Sequence, residues 1–393
     1  MKFRYIILSL AVILTACDKQ EIPTPETAVS CSIDYINHSK NEAYTNLLQQ
    51  YTAKGIVGLT LLVDNPNEPL WAGSAGFADI ENDIKMTPCH LNYMASIIKT
   101  YIATIILQLE EEGKLTLDDK LQPYISAEIL DEIPNGNDVT IRQLLQCRSG
   151  MKDVFEVDFL LDLLNNPTQL YTMESLMTYM YGVQPIAAPG EKHYYGDANF
   201  VLLSMIIEGL DGNDLIATYN SRIFQPLGLT NSYLINVPEQ LPQGVAASYW
   251  DRNGNQIIEN VSDYQVALVA GLEGTDGLIT DVYDMNIFQR GLMDGTLLSA
   301  DSYQKMMEVV DIPEGDSNQN YSAYGLGIAK VQLSDEIWYG SFGNHIGSAA
   351  MMLYNQQHNT SIVIVQNTGT FFNDNLKQDF FGHLILDIEA IAF

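Results

Sequence analysis

Ser96-Ile97-Ile98-Lys99-Thr100-Tyr101-Ile102-Ala103-Thr104-Ile105-Ile106-Leu107 is the stretch on which the reading of this chain turns. It sets a hydroxyl and an amine three residues apart at the mouth of a long apolar run. Residues 94–112 carry helical periodicity, with Ile97, Ile98, Ile102, Ile105, Ile106 and Leu109 apolar and Gly113 as the stop. The run is apolar almost all round as far as Gln108, which predicts a buried helix. Positions i and i+3 of a helix share a face, so Lys99 comes within reach of the Ser96 hydroxyl. The positive end of the helix and the apolar surroundings both disfavour an ammonium, so Lys99 can serve as a base. The structural alternative for the same residues is a serine N-cap followed by a snorkelling lysine.

Other chemistries find less support. The six histidines (His38, His90, His193, His345, His358 and His383) are scattered, and neither His-Glu-x-x-His nor Cys-x-x-Cys occurs, so no metal and no cofactor is expected. Gly-x-Ser-x-Gly and the phosphate-cradling Gly-x-x-x-x-Gly-Lys loop are missing too. Ser-x-x-Lys occurs three times, where chance supplies about one match, so context has to decide between the copies. Ser302–Lys305 starts a half-polar helix where the lysine is solvated, and Ser149–Lys152 follows a loop-like Arg-Ser-Gly in which i and i+3 need not meet. Ser96–Lys99 is the copy on a buried helix.

Working outward, the ends of the chain read differently from its middle. Residues 41–54 form an amphipathic helix with Leu47, Leu48 and Tyr51 on one side, and residues 56–63 and 69–76 pair as a hairpin around Asn65-Pro66-Asn67. Residues 115–313 are mainly helices and turns; strands return at 325–331, 349–354 and 361–366, before a C-terminal helix over 375–389. The predicted fold class is α/β plus all-α: an antiparallel sheet built from both chain ends and flanked by helices, with a mainly helical lobe inserted over about 115–313. The 393 residues exceed the roughly 250–300 at which single cores stop growing, which agrees with two fused lobes. With 19 Lys+Arg against 49 Asp+Glu the formal net charge is −30, and no basic run offsets it, so nucleic acid is excluded as a partner.

The first residues look like an address. Met1-Lys2-Phe3-Arg4 is basic, residues 5–14 are apolar but too short to span a membrane, and Leu14-Thr15-Ala16-Cys17 follows. That ending resembles a bacterial lipoprotein cleavage box, which implies a signal peptide over 1–16, lipidation of Cys17 and a polar, proline-bearing tether over 17–40. The expected location is the bacterial cell envelope, lipid-anchored on the periplasmic side or the cell surface. Cys31, Cys89 and Cys147 then remain. A Cys31–Cys89 bridge, tying the end of the tether to the body, and three unpaired buried thiols both fit the sequence.

Taken together, several blocks resemble the serine β-lactamase-like hydrolases, the family of class C β-lactamases, D-alanyl-D-alanine carboxypeptidases, D-aminopeptidases and related esterases. Ser96-Ile-Ile-Lys99 resembles the family's first motif, and Val139 to Leu145 with Ser149-Gly150 its helix-then-Ser-Gly segment. Pro189-Gly190-Glu191 through Tyr194-Tyr195-Gly196-Asp197 resembles its Pro-Gly…Tyr-x-Asn motif, and Phe224 to Leu229, Gly274 to Thr280 and Tyr324-Gly-Leu-Gly327 follow in order. The match runs from about residue 41 to the end. It implies a β-lactamase/transpeptidase-like fold and acyl transfer: Ser96 attacks a carbonyl, Lys99 with Tyr195 removes and returns the proton, and water hydrolyses the acyl-enzyme. The Ser96 N–H supplies half of an oxyanion hole. Tyr194 is a rival to Tyr195, and the spacing from Pro189-Gly190 favours Tyr195.

Two departures from the family bear on substrate. The Tyr-x-Asn motif ends in Asp197, a carboxylate that favours the lysine ammonium; either Tyr195 takes more of the base role or Asp197 holds a cationic substrate amine. The third motif, Lys/His-x-Gly on a sheet-edge strand, aligns without a gap on Ser341-Phe342-Gly343, which makes the Asn344 N–H the second oxyanion donor and leaves His345 in a loop at the rim of the cleft, as a contact or a surface residue. A shifted alignment uses His345-Ile346-Gly347 instead. In the ungapped version no cation faces a substrate carboxylate, so β-lactams and C-terminal D-alanine fit poorly. The expected function is a serine hydrolase acting on an ester or peptide-like amide of a small molecule or peptide. A penicillin-interacting carboxypeptidase or β-lactamase, and a silent binding lipoprotein on the same fold, are the alternatives.

Overall fold

The computed structural model describes residues 27–31, 35–166, 169–313, 321–371 and 373–393. Cys17 and residues 1–16, where a signal peptide is expected, lie outside the described residues.

Nine strands form one antiparallel sheet: β1 (Gly58–Asp64), β2 (Trp71–Asp79), β3 (Ile84–Lys85), β4 (Val310–Asp311), β5 (Ala323–Tyr324), β6 (Ala329–Leu333), β7 (Glu336–Asn344), β8 (Ala349–Asn355) and β9 (Thr360–Gln366). Their spatial order is β3-β2-β1-β9-β8-β7-β6-β5-β4, so the first and last long strands lie side by side within the sheet. Side chains of a strand alternate between faces, and the central strands are apolar on both. Leu61, Ile362, Ile364, Met351 and Leu353 enter one core, with Tyr44, Leu47, Leu48 and Tyr51 of helix α1 (Asn41–Thr52) and with Phe380, Leu384, Ile385 and Ile388 of the C-terminal helices. Leu62, Val363, Val365, Ala350 and Met352 enter the other, which also holds the helix Ile98–Glu111, here α2. α2 is buried almost throughout because it shares this core with the sheet and with α3 (Asp197–Asp211), while α4 (Val282–Met293) packs on the sheet beside it and stacks Phe288 on Tyr101.

The fold class read from the sequence is the one observed. Element limits shift modestly: the strand expected at 325–331 is split into β5 and β6 around Gly327, and the C-terminal helix is built from consecutive segments, Asp374–Gln378, Asp379–Leu384 and Ile385–Ala392. Cys31 and Cys89 are bridged, with Cα atoms 5.7 Å apart, and Cys147 is free and buried. Among the described residues no helix is long and apolar enough to cross a membrane.

Candidate active site

Ser96 does not sit in the α-helix itself. It occupies a 3-10 turn, Ala95–Ile97, from which α2 departs, and Ala95 before it is held at φ +49°. From His90 to Leu107 Ser96 is the single residue that is not buried. The chain thus presents one hydroxyl at the surface of an otherwise dry rod. Lys99 Nζ lies 2.9 Å from Ser96 Oγ, as the i,i+3 spacing requires, and the lysine is only 1% exposed. Its ammonium also donates to Asp197 Oδ1 at 2.6 Å, and it lies 5.3 Å from the centre of the Tyr195 ring.

Tyr195, rather than Tyr194, hydrogen-bonds the Ser96 hydroxyl. Burial, then the nearby Asp197 carboxylate, push the Tyr195 phenol well above its ordinary range, against the opposing pull of the Ser96 bond. It therefore rests as a neutral phenol. Tyr194 spends its backbone N–H on the Cys147 carbonyl. Asp197 opens α3 and is itself buried; besides Lys99 it accepts from the Thr275 hydroxyl. Lys99 and Thr275 share its Oδ1, and the side chain keeps 11% exposure.

The third motif is placed by register. β7 is not an edge strand of the sheet, as it pairs with both β6 and β8. β6 reaches only as far as Gly340, however, so Ser341 to Asn344 pair on the β8 side alone and form a local edge facing the Ser96 turn. Ser341 Oγ lies 3.5 Å from the Ser96 carbonyl oxygen. Ser341, rather than His345, is the residue brought beside the Ser96 turn. His345 N–H is tied to the Ser348 carbonyl on the β8 side, so the alternation of an antiparallel ladder sends the Asn344 N–H to the open edge. The Asn344 side chain accepts from Thr370 Oγ1 at 2.9 Å.

His345 is not at the rim. It is 6% exposed and its Nε2 contacts Asp276 Oδ2, itself 6% exposed, so the ring is consumed in a buried pair. The loop after β7 folds inward onto the Gly274–Thr280 segment instead of staying at the surface, and a partner 69 residues away gives no local signal.

Gly343 carries the close approach. A Cβ there would stand 2.1 Å from the Met94 carbonyl oxygen. Gly343→Ala therefore has to lift the end of β7 from the Ser96 turn. We expect turnover to fall at least about tenfold with the fold retained at a cost of about 1–3 kcal/mol; steady-state kinetics and a melting curve check both. On the other flank, Thr100 Oγ1 donates to the Gly327 carbonyl at 2.9 Å, and a Cβ on Gly327, at φ +71°, would meet Ala103 at 2.5 Å. Gly343 thus lets the sheet approach the turn that carries Ser96, and Gly327 lets the Tyr324-Gly-Leu-Gly327 turn approach α2.

The rival Ser-x-x-Lys copies have structural employment. Ser149 Oγ accepts the Met151 N–H, and Lys305 pairs with Glu110 at 2.9 Å. Two residues near the nucleophile escaped the sequence reading as site members: Asp153, which accepts the Asp197 N–H at 3.0 Å, and Thr275.

A sheet of this order with a serine, a lysine and a tyrosine meeting at the buried helix is the arrangement of a serine hydrolase. The model of the Beta-lactamase family matches residues 45–384, and the chain belongs to that family. PbpX of Bacillus subtilis (strain 168), named for the penicillin-binding proteins, is 28% identical over 311 residues, which are 78% of this chain and 68% of the relative. A protein of Escherichia coli (strain K12) named for the D-alanyl-D-alanine carboxypeptidases is 26% identical over 280 residues, 63% of this chain and 62% of its own. The chain thus spans about two thirds of the length of these curated relatives. Among solved structures, a D-stereospecific amidohydrolase from Streptomyces sp. is 25% identical with a TM-score of 0.74, covering 87% of this chain and 98% of that one. D-amino acid amidase from Ochrobactrum anthropi SV3 shares the fold at 21% identity, with a TM-score of 0.76 over 90% and 97% of the two chains.

Proposed function

We propose that the chain hydrolyses a peptide-like amide or ester through an acyl-enzyme on Ser96, with an acyl group of the D-amino-acid type. The observation that carries this is the half-exposed Ser96 hydroxyl held at once by Lys99 and Tyr195 in a buried setting. In the proposed sequence, a proton shifted from the Lys99 ammonium to Asp197 leaves an amine to take the Ser96 proton. Oγ bonds to the carbonyl carbon, and the oxyanion is met by the N–H groups of Ser96 and Asn344. The proton then returns through Lys99 or the Tyr195 phenol to the leaving amine or alcohol as its bond to carbon breaks. Water repeats the cycle to release the acid. Tyr195, resting as a phenol, donates and relays; a tyrosinate base would have to overcome its burial beside Asp197.

The D-amino-acid class is supported by the neighbours named as D-amino acid amidase and D-stereospecific amidohydrolase. A penicillin-interacting carboxypeptidase is the second reading, favoured by the names of the curated relatives. Against it, Ser341 stands where the family places a cation, so a substrate carboxylate has no ammonium or imidazolium from β7 to meet it. Assays with D- and L-phenylalanine amides and methyl esters beside a penicillin separate the two. The D-amide or D-ester should exceed its L counterpart by about tenfold or more in kcat/KM and outpace penicillin acylation. Faster acylation by the penicillin sinks the D-amidase reading and leaves the carboxypeptidase.

Export and anchoring through Cys17 are part of the same proposal. They are supported by the leader-like first residues and by the Cys31–Cys89 bridge, a bond that persists in oxidising compartments. Globomycin-sensitive processing and metabolic labelling with palmitate, lost in Cys17→Ser, would bear this out.

A further inference from the structure

Asp153 has no part in the motifs read from the sequence. It lies within the loop that runs from Ser149 to Glu156, and its Oδ1 accepts two backbone N–H groups, those of Asp197 at 3.0 Å and Phe155 at 3.4 Å. The first matters most. Gly196, the residue before α3, has no side chain to cap the helix, and no residue of its own segment does so. The cap arrives from Asp153, 44 residues earlier. A Cβ on Gly196 would stand 3.3 Å from the Asp153 Cα, so the loop and the helix start are in direct contact. Tyr195 and Asp197 flank this contact on either side. The charged and titratable groups facing Asp153 are Asp197 of α3, Lys99 of α2, Tyr194 and Tyr195 of the intervening loop, and Cys147 of its own segment.

We propose that Asp153 is a positioning residue for the reaction: it fastens the first turn of α3, and so Tyr195 and Asp197, opposite Ser96, and its ionisation sets how much negative charge surrounds Lys99. The inference rests on Ser96 as nucleophile. Burial, then the Asp197 charge, raise the Asp153 carboxyl to about 7, against its two backbone donors and Lys99. Below that pH a neutral carboxyl caps the helix and the Lys99–Asp197 pair is balanced. Above it, a second carboxylate opposes both the developing oxyanion and any charge on Tyr195. The sign for stability follows. A carboxyl raised above its unfolded value favours the fold at low pH, and that contribution is lost as pH rises through about 7.

The test uses the full chain with Asp153→Asn, which keeps an acceptor oxygen but cannot ionise, and Asp153→Ala, which removes the cap. Asp153→Ala should lower kcat about tenfold or more with KM within about twofold. Asp153→Asn should keep kcat at about pH 6 and hold it above pH 7, where the unaltered chain declines. Relative to the unaltered chain, the Asn variant should also gain in melting temperature as pH rises from about 4 to about 7, and level off above it. A native kcat in the Ala variant, superimposable pH–rate profiles, or a pH-independent gap in melting temperature overturns the proposal. Should the unaltered chain show no Ser96-dependent turnover, the hydrolase reading fails, and the melting curves still decide whether Asp153 ionises as proposed.

Discussion

Replacing Ser96 by alanine removes turnover by a factor on the order of 10⁴ or more while leaving the melting temperature within a few degrees. The activity loss is large because the serine is the atom that forms the covalent bond, and no other hydroxyl of the helix start reaches solvent: Thr100 and Thr104 are fully buried, with their hydroxyls bonded to the Gly327 and Thr100 carbonyls. The stability change is small because Ser96 is half-exposed and its truncation opens no core cavity. Steady-state kinetics on the best substrate of the panel, with a melting curve on the same sample, measure both. Turnover within about tenfold of the unaltered chain would remove Ser96 from the chemistry.

Lys99→Met has the second large effect, and it falls on stability as well. The lysine is 1% exposed and its partner Asp197 is 8% exposed, so removing the ammonium strands a carboxylate in the interior. Breaking one half of a buried pair costs about 3–5 kcal/mol. Because Thr275 still donates to Asp197, the lower end of that range is expected. Activity should fall about 10³-fold or more, since the proton acceptor beside Oγ is gone. The double variant Lys99→Met, Asp197→Asn should recover most of the stability and none of the activity. Denaturant unfolding and kinetics on four proteins, the Asp197→Asn single variant included, complete the cycle, and a double variant no more stable than Lys99→Met would show that the stranded charge is not the cause.

What could be read from the sequence was what local spacing encodes. The Ser96–Lys99 contact is an i,i+3 pair on one helix, and the α1 face of Leu47, Leu48 and Tyr51 follows from periodicity; both are found. The alternation of Leu61 with Leu62 and of Ile362, Ile364 with Val363, Val365 belongs to strands buried on both faces, and this is why the sheet was legible from both chain ends. What could not be read depends on pairs set by the tertiary fold. Asp153 meets Asp197 across 44 positions, Thr275 meets it across 78, and His345 meets Asp276 across 69. An aspartate in a loop and a histidine after a strand carry no mark of such partners. The edge character of the third motif was half right for the same reason. Whether β7 is an edge depends on where β6 stops, a matter of register rather than composition.

The proposition that a hydroxyl primed by Lys99 forms the acyl-enzyme is tested most directly by trapping. The full chain is incubated with a fluorophosphonate, and the adduct is located by mass spectrometry of the peptide spanning residues 92–114. A single adduct on Ser96, lost in Ser96→Ala and slowed in Lys99→Met, is the expected result. An adduct on Ser149, Ser302 or any other hydroxyl, with Ser96 unmodified while turnover is blocked, would contradict it.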